Sequence, residues 1–138
     1  MTVIGYAPGV YDLFHIGHLN ILSRAAECCD HLIAGVVTDD VVLKAKNKAP
    51  VVPLAERLAI VRSVRYVDEA VPDPYVDKFQ MWPRLKFDVL FKGDDWRGTE
   101  KGEALEARLA EVGARVVYFP YTLHTSSTLL RKMISMSS

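Results

Sequence analysis

Residues 2–18 read Thr2-Val3-Ile4-Gly5-Tyr6-Ala7-Pro8-Gly9-Val10-Tyr11-Asp12-Leu13-Phe14-His15-Ile16-Gly17-His18. The stretch starts as a buried strand over 2–7. It changes period after Gly17, where Leu19, Leu22, Ala26 and Cys29 recur at helical spacing. Gly9 permits a tight turn or a close backbone approach between the two. The same alternation continues down the chain. Residues 32–38, 66–71, 87–92 and 114–119 are short runs rich in β-branched and aromatic side chains, as strands require. Leu54, Leu58, Val61 and Val64 mark one helix face opened by Pro53. Leu105, Leu109 and Val112 mark another, with Gly113 placed to end it, and 126–134 reads as a last helix. Alternating strands and helices predict an α/β domain whose parallel strands are joined by crossover helices.

Composition fits one such domain. The chain has 138 residues, half of them hydrophobic, with 17 basic against 17 acidic side chains. It is too apolar to be disordered and has no basic excess to suggest nucleic acid as a partner. No apolar run nears the roughly 18 residues of a membrane span, no signal-peptide pattern opens the sequence, and a cytoplasmic setting is expected. Cys28 and Cys29 are adjacent, which disfavours a disulfide between them and fits no metal spacing, so both are expected to be buried and inert. No metal-ligand set is evident.

Ligands of parallel sheets bind beyond the carboxyl ends of the strands, which directs attention to Gly9–His18. His15 and His18 are three apart and share one side of a helical turn, where free backbone N–H groups and the positive end of the helix dipole already favour an anion. Two histidines could simply cap the helix. Against that, the whole decapeptide resembles the H-x-G-H signature of the nucleotidyltransferase superfamily, in its cytidylyltransferase form G-x-[FY]-D-x-x-H-x-G-H. Further segments are similar to the same family in order: Lys46-Asn47-Lys48 ahead of Glu56-Arg57, Arg65-Tyr66-Val67-Asp68-Glu69, and Gly93-Asp94-Asp95-Trp96, the last as in glycerol-3-phosphate cytidylyltransferases.

The resemblance spans residues 3 to about 134. It implies a Rossmann-like three-layer domain with a mainly parallel sheet of about five strands, and a homodimer. It also implies transfer of a cytidylyl group from CTP, with Mg²⁺, to a phosphorylated small alcohol, glycerol 3-phosphate first among them, with release of pyrophosphate. By the same resemblance His15, His18 and Lys48 are catalytic. Gly9, Val10, Tyr11, Asp12, Gly17, Asp95, Thr122, Ser126, Ser127 and Thr128 bind the nucleotide. Lys46, Arg57, Arg65 and Lys78 bind the acceptor, and Arg57 and Arg65 are expected on one helix. The chain departs from the family pattern R-T-E-G-I-S-T-T, where Tyr121 stands for the arginine and His124 for the glycine; Arg97 or Arg131 could replace the lost donor. Other acceptors (phosphoethanolamine, phosphocholine, a sugar phosphate), ATP in place of CTP, and a non-catalytic nucleotide-binding module are the alternatives.

Overall fold

The computed structural model describes residues 2–120 and 127–137. Strands β1 (Ile4–Gly9), β2 (His31–Val37), β3 (Glu69–Asp73), β4 (Val89–Gly93) and β5 (Arg115–Phe119) form one parallel sheet in the order β3-β2-β1-β4-β5. Helices α1 (Ile16–Glu27) and α3 (Leu54–Arg62) cover one face, where Leu22, Ala25 and Val61 pack on Ala7, Leu32, Val36 and Phe91. A 3₁₀ turn at Lys78–Met81, the short α4 (Trp82–Leu85) and α5 (Glu100–Glu111) cover the other. There Met81, Leu105 and Leu109 pack on Tyr6, Ile33 and Leu90. Helix α6 (Ser127–Ser137) closes the described chain. Strand order reverses between β1 and β4, so the cleft at their carboxyl ends is the switch point of this doubly wound sheet.

All five expected strands form, with shifted ends. β1 runs two residues further, through Gly9, and β3 begins only at Glu69. Gly113 takes a left-handed φ of 82° and ends α5 as expected. Three details differ from the sequence expectations. Helix α3 stops at Arg62 with Ser63 as its cap, so Arg57 and Arg65 do not share a helix. Cys28 is exposed at the end of α1 and Cys29 is half-buried, both as free thiols. A helix also appears where the sequence reading assigned no element: α2 (Asp39–Lys46) buries only Val41 and Val42, too few to show a period. It is set instead by charge, with Asp39 and Asp40 in the first turn, Lys44 and Lys46 in the last, and Asn47 in the left-handed region at its end.

Arg57 is 0% exposed and is the largest fully buried side chain. Its guanidinium donates to the carbonyls of Val10 (2.7 Å), Val37 (2.8 Å) and Val52 (2.8 Å), and pairs with Asp39. One cation thus ties the chain leaving β1, the end of β2, the start of α2 and the segment before α3. Replacing Arg57 with Met leaves three buried carbonyls without donors, and the expected cost is about 3–5 kcal/mol. Urea denaturation measures it. Arg57→Lys should recover little, because one ammonium cannot reach all four acceptors. A loss below about 1 kcal/mol for Arg57→Met would mean that the carbonyls are satisfied without the guanidinium.

Candidate active site

Gly9 lets the chain fold back on itself at the end of β1. A Cβ there would lie 3.0 Å from the Tyr11 ring. Tyr11 in turn donates its hydroxyl to the carbonyl of Ala7 (2.8 Å). Tyr11 and Leu13 both adopt left-handed backbone, with φ of 54° and 50°. Two such non-glycine residues within three positions are costly and are kept only where the surroundings hold them.

The residue between them does much of that holding. Asp12 is 1% exposed. Its carboxylate accepts from the backbone N–H of Val51 (2.8 Å) and Val52 (2.9 Å) and from Nη2 of Arg131 (2.8 Å). Its carbonyl accepts from the Ser127 hydroxyl (2.6 Å). Burial pushes the Asp12 carboxyl up, but those donors outweigh it and hold the group below its usual range. The loop, the segment before α3 and helix α6 meet at this one side chain.

His15 and His18 open α1 as a reciprocal cap. The Nδ1 of His15 accepts from Gly17 N–H (3.0 Å), and the Nδ1 of His18 accepts from His15 N–H (3.2 Å). Both rings therefore carry their proton on Nε2 when neutral. The rings lie 4.0 Å apart between centroids, and His18 is also flanked by Tyr11 and Phe14. Burial, and next His15, lower the His18 pKa to about 3; burial lowers that of His15 as well. The pair is a set of neutral N–H donors.

A cavity of about 790 Å³ opens above the carboxyl ends of β1 and β4. That is ample for a nucleotide with a small second substrate. Of the residues singled out in the sequence, Gly9, Val10, Tyr11, Asp12, His18, Lys46, Lys78, Asp95, Ser127 and Thr128 line it. His15 and Gly17 stand just behind, in the first turn of α1. Lys48 is exposed past the end of α2 and does not line the cavity, nor does Arg65, exposed beside the Tyr66 ring. Arg57 lies in the core beneath the site, where its bonds face inward; it positions the loops instead of facing the cavity. Tyr121, Thr122, His124 and Ser126 lie outside the described residues.

The structure adds Lys92 to the lining, and of the two arginines named as replacements for the family arginine it puts Arg131 there and not Arg97. Lys92 carried a signal in the sequence: a charged residue closing the apolar run Val89-Leu90-Phe91 at the carboxyl end of a strand. Nothing in the sequence chose between the two arginines. The place of Arg131 is fixed by Asp12, more than a hundred residues away.

The histidine pair links stability to pH. An unfolded chain protonates His18 near pH 6.5, whereas the native ring resists until about pH 3. The unfolded state therefore binds more protons across that window, and native stability falls as pH drops through it. Between pH 7 and 5, before most carboxylates titrate, the thermal midpoint should fall with a slope that His18→Gln makes shallower. Equal slopes for both proteins in differential scanning fluorimetry would count against a neutral, buried His18.

Comparison with known proteins agrees with this geometry. The family model described as cytidylyltransferase-like matches residues 6–133. The chain is 34% identical over 128 residues to the glycerol-3-phosphate cytidylyltransferase of Bacillus subtilis, covering 92% of this chain and 93% of that one. It is 32% identical over 129 residues to the FAD synthase of Pyrococcus abyssi, covering 91% and 86%. The lipopolysaccharide core biosynthesis protein from Thermoplasma volcanium shares the fold, with a TM-score of 0.74 and 23% identity over 91% of this chain and all of the other (100%). The chain belongs to the cytidylyltransferase-like family and is a nucleotidyltransferase enzyme.

Proposed function

We propose that the enzyme transfers a cytidylyl group from CTP to the phosphate of a small phosphorylated alcohol, giving a CDP-alcohol and pyrophosphate. The observation that carries the reading is the reciprocal cap of His15 and His18 at the start of α1, beside a cavity lined by ammonium and guanidinium groups. The acceptor's phosphate oxygen forms the new bond to the α-phosphorus, and the bond to the bridging oxygen of pyrophosphate breaks. The attacking oxygen is already an anion, so the site needs no base and no covalent intermediate. It must hold two anions together and stabilise negative charge as it moves to the leaving group. Neutral His18 donates Nε2–H to phosphate oxygens, and the free N–H groups of α1 add to it. Arg131, lining the cavity and held by Asp12, supplies a fixed cation of the kind that Tyr121 cannot.

Mg²⁺ belongs to the same proposal as a partner of the triphosphate, whose negative charge it offsets. The groups facing the cavity are mostly N–H donors, and the Asp12 carboxylate is already engaged by three donors, so the ion would be held by phosphate oxygens and water. The homodimer is carried forward as part of the reading, for sedimentation to test. Glycerol 3-phosphate is the first acceptor to try, given the relative from Bacillus subtilis. The FAD synthase of Pyrococcus abyssi favours one competing reading, adenylyl transfer from ATP.

Pyrophosphate release, with Mg²⁺ and with CTP crossed against ATP, separates the two. Release with CTP and a phosphorylated alcohol is expected, falling about 10²–10³-fold in His18→Ala as one transition-state donor is lost. Release with ATP alone would move the enzyme to adenylyl transfer. An unchanged rate in His18→Ala would remove the histidine from the chemistry.

A further inference from the structure

One lysine of the cavity wall is fixed from behind. Lys46, Lys78, Lys92 and Lys101 all line the cavity. Lys92 rests its ammonium 3.9 Å from the centroid of the Trp96 ring. Lys78 is anchored by polar groups instead. Its ammonium donates to the Tyr75 carbonyl (2.6 Å) and lies 3.3 Å from a carboxylate oxygen of Asp73. An ammonium has three donors, so among the described residues one N–H of Lys78 is left for what enters the cavity. The side chain is 12% exposed, which gives an incoming anion a poorly screened partner.

Asp73 is itself held. It ends β3, is 0% exposed and is not part of the lining. Its Oδ1 accepts from the Tyr75 N–H (3.1 Å) and faces Lys78, while its Oδ2 accepts from the Tyr6 hydroxyl. Tyr6 belongs to β1, on the other side of β2. Its side chain reaches Asp73 by crossing β2 at Gly35, where a Cβ would collide with the phenol. A glycine inside a strand weakens it, and here it opens the path for the hydroxyl. Tyr6 is 0% exposed and stacks on Phe87, with 5.2 Å between ring centroids, so the core sets its position. Core, Tyr6, Asp73 and Lys78 form one chain of contacts that ends at the cavity.

A free lysine gives up rotamer entropy when it grips a ligand. Lys78 has given it up on folding. A buried ammonium with one open N–H fits a phosphate oxygen, and both substrates of the transfer carry phosphate.

We propose that Asp73 is a positioning residue of the transfer reaction: held by Tyr6 across β2, it fixes the Lys78 ammonium so that its open N–H meets a phosphate oxygen of a bound substrate. This rests on the transfer reading above and deepens it by two residues behind the site. Nucleotide and acceptor share the phosphate chemistry, and the test separates them.

The test is calorimetric titration of the full chain, run below the thermal midpoint of every variant. CTP, ATP and glycerol 3-phosphate are the probes, the last with α,β-methylene CTP present so that no transfer occurs. Lys78→Met should weaken at least one probe about ten-fold or more, as a charge-assisted hydrogen bond is lost, and that probe names the substrate held. Asp73→Asn should weaken the same probe about 3–10-fold, the worth of one immobilised side chain. The sign decides, because by charge alone the loss of a carboxylate would tighten an anion. Tyr6→Phe keeps the carboxylate and should weaken the probe about two-fold or more; it carries the test alone if Asp73→Asn does not fold. In a Lys78→Met background neither substitution should change the affinity further. Tighter or unchanged binding in Asp73→Asn or Tyr6→Phe, equal factors with and without Lys78, binding of no probe, or no loss in Lys78→Met would overturn the proposal. The transfer reading fails separately, through absence of pyrophosphate release from CTP with any phosphorylated alcohol by the unaltered chain.

Discussion

A guanidinium buried to 0% exposure is a heavy demand on a domain of this size, and the site is built around meeting it. Arg57 must find an acceptor for each donor it turns inward, because a buried cation without partners costs more than any packing around it returns. The partners it finds are backbone carbonyls at Val10, Val37 and Val52, the points where the chain leaves β1, leaves β2 and approaches α3. Asp12 answers from the opposite sign, taking the N–H groups of Val51 and Val52. The segment before α3 is thereby held by its carbonyl on one side and its N–H groups on the other. With that segment fixed, the strained turn at Tyr11 and Leu13 has something rigid to lean on.

The cavity above this frame is lined by two kinds of donor. Neutral imidazole and a helix start offer hydrogen bonds without net charge, while Lys46, Lys78, Lys92 and Arg131 bring fixed cations. Either kind of donor stabilises the transition state where it faces an oxygen on which charge develops, and the fixed cations also hold the two anions together.

Much of this was legible in the sequence. Each strand announced itself as a short β-branched run, and residues 9–18 carried enough specific positions to place the histidines at a helix start. What was not legible has physical reasons. Helix α2 owes its existence to charges arranged along its dipole and to an asparagine that can turn left-handed, not to an apolar period. Arg57 reads in sequence as an acceptor-binding arginine, because nothing local says that carbonyls from two strand ends converge on it. The Arg131–Asp12 pair joins residues at opposite ends of the chain, a distance that spacing rules do not reach. Lys92 is the intermediate case: its position at a strand's carboxyl end was visible, but its seat on the Trp96 ring belongs to the assembled cavity.

The ammonium on the Trp96 ring has an optical side. The chain has two tryptophans. Trp82 stacks with Phe79, donates its indole N–H to the Phe87 carbonyl and stands outside the cavity lining. Trp96 is in the lining, with a positive charge 3.9 Å from its ring centroid. Indole emission responds to nearby charge, so an anion that draws the Lys92 ammonium toward itself changes the field across one fluorophore and leaves the other as a constant background. The enzyme carries its own reporter of an anion entering its cavity, readable without a label and before any bond is made.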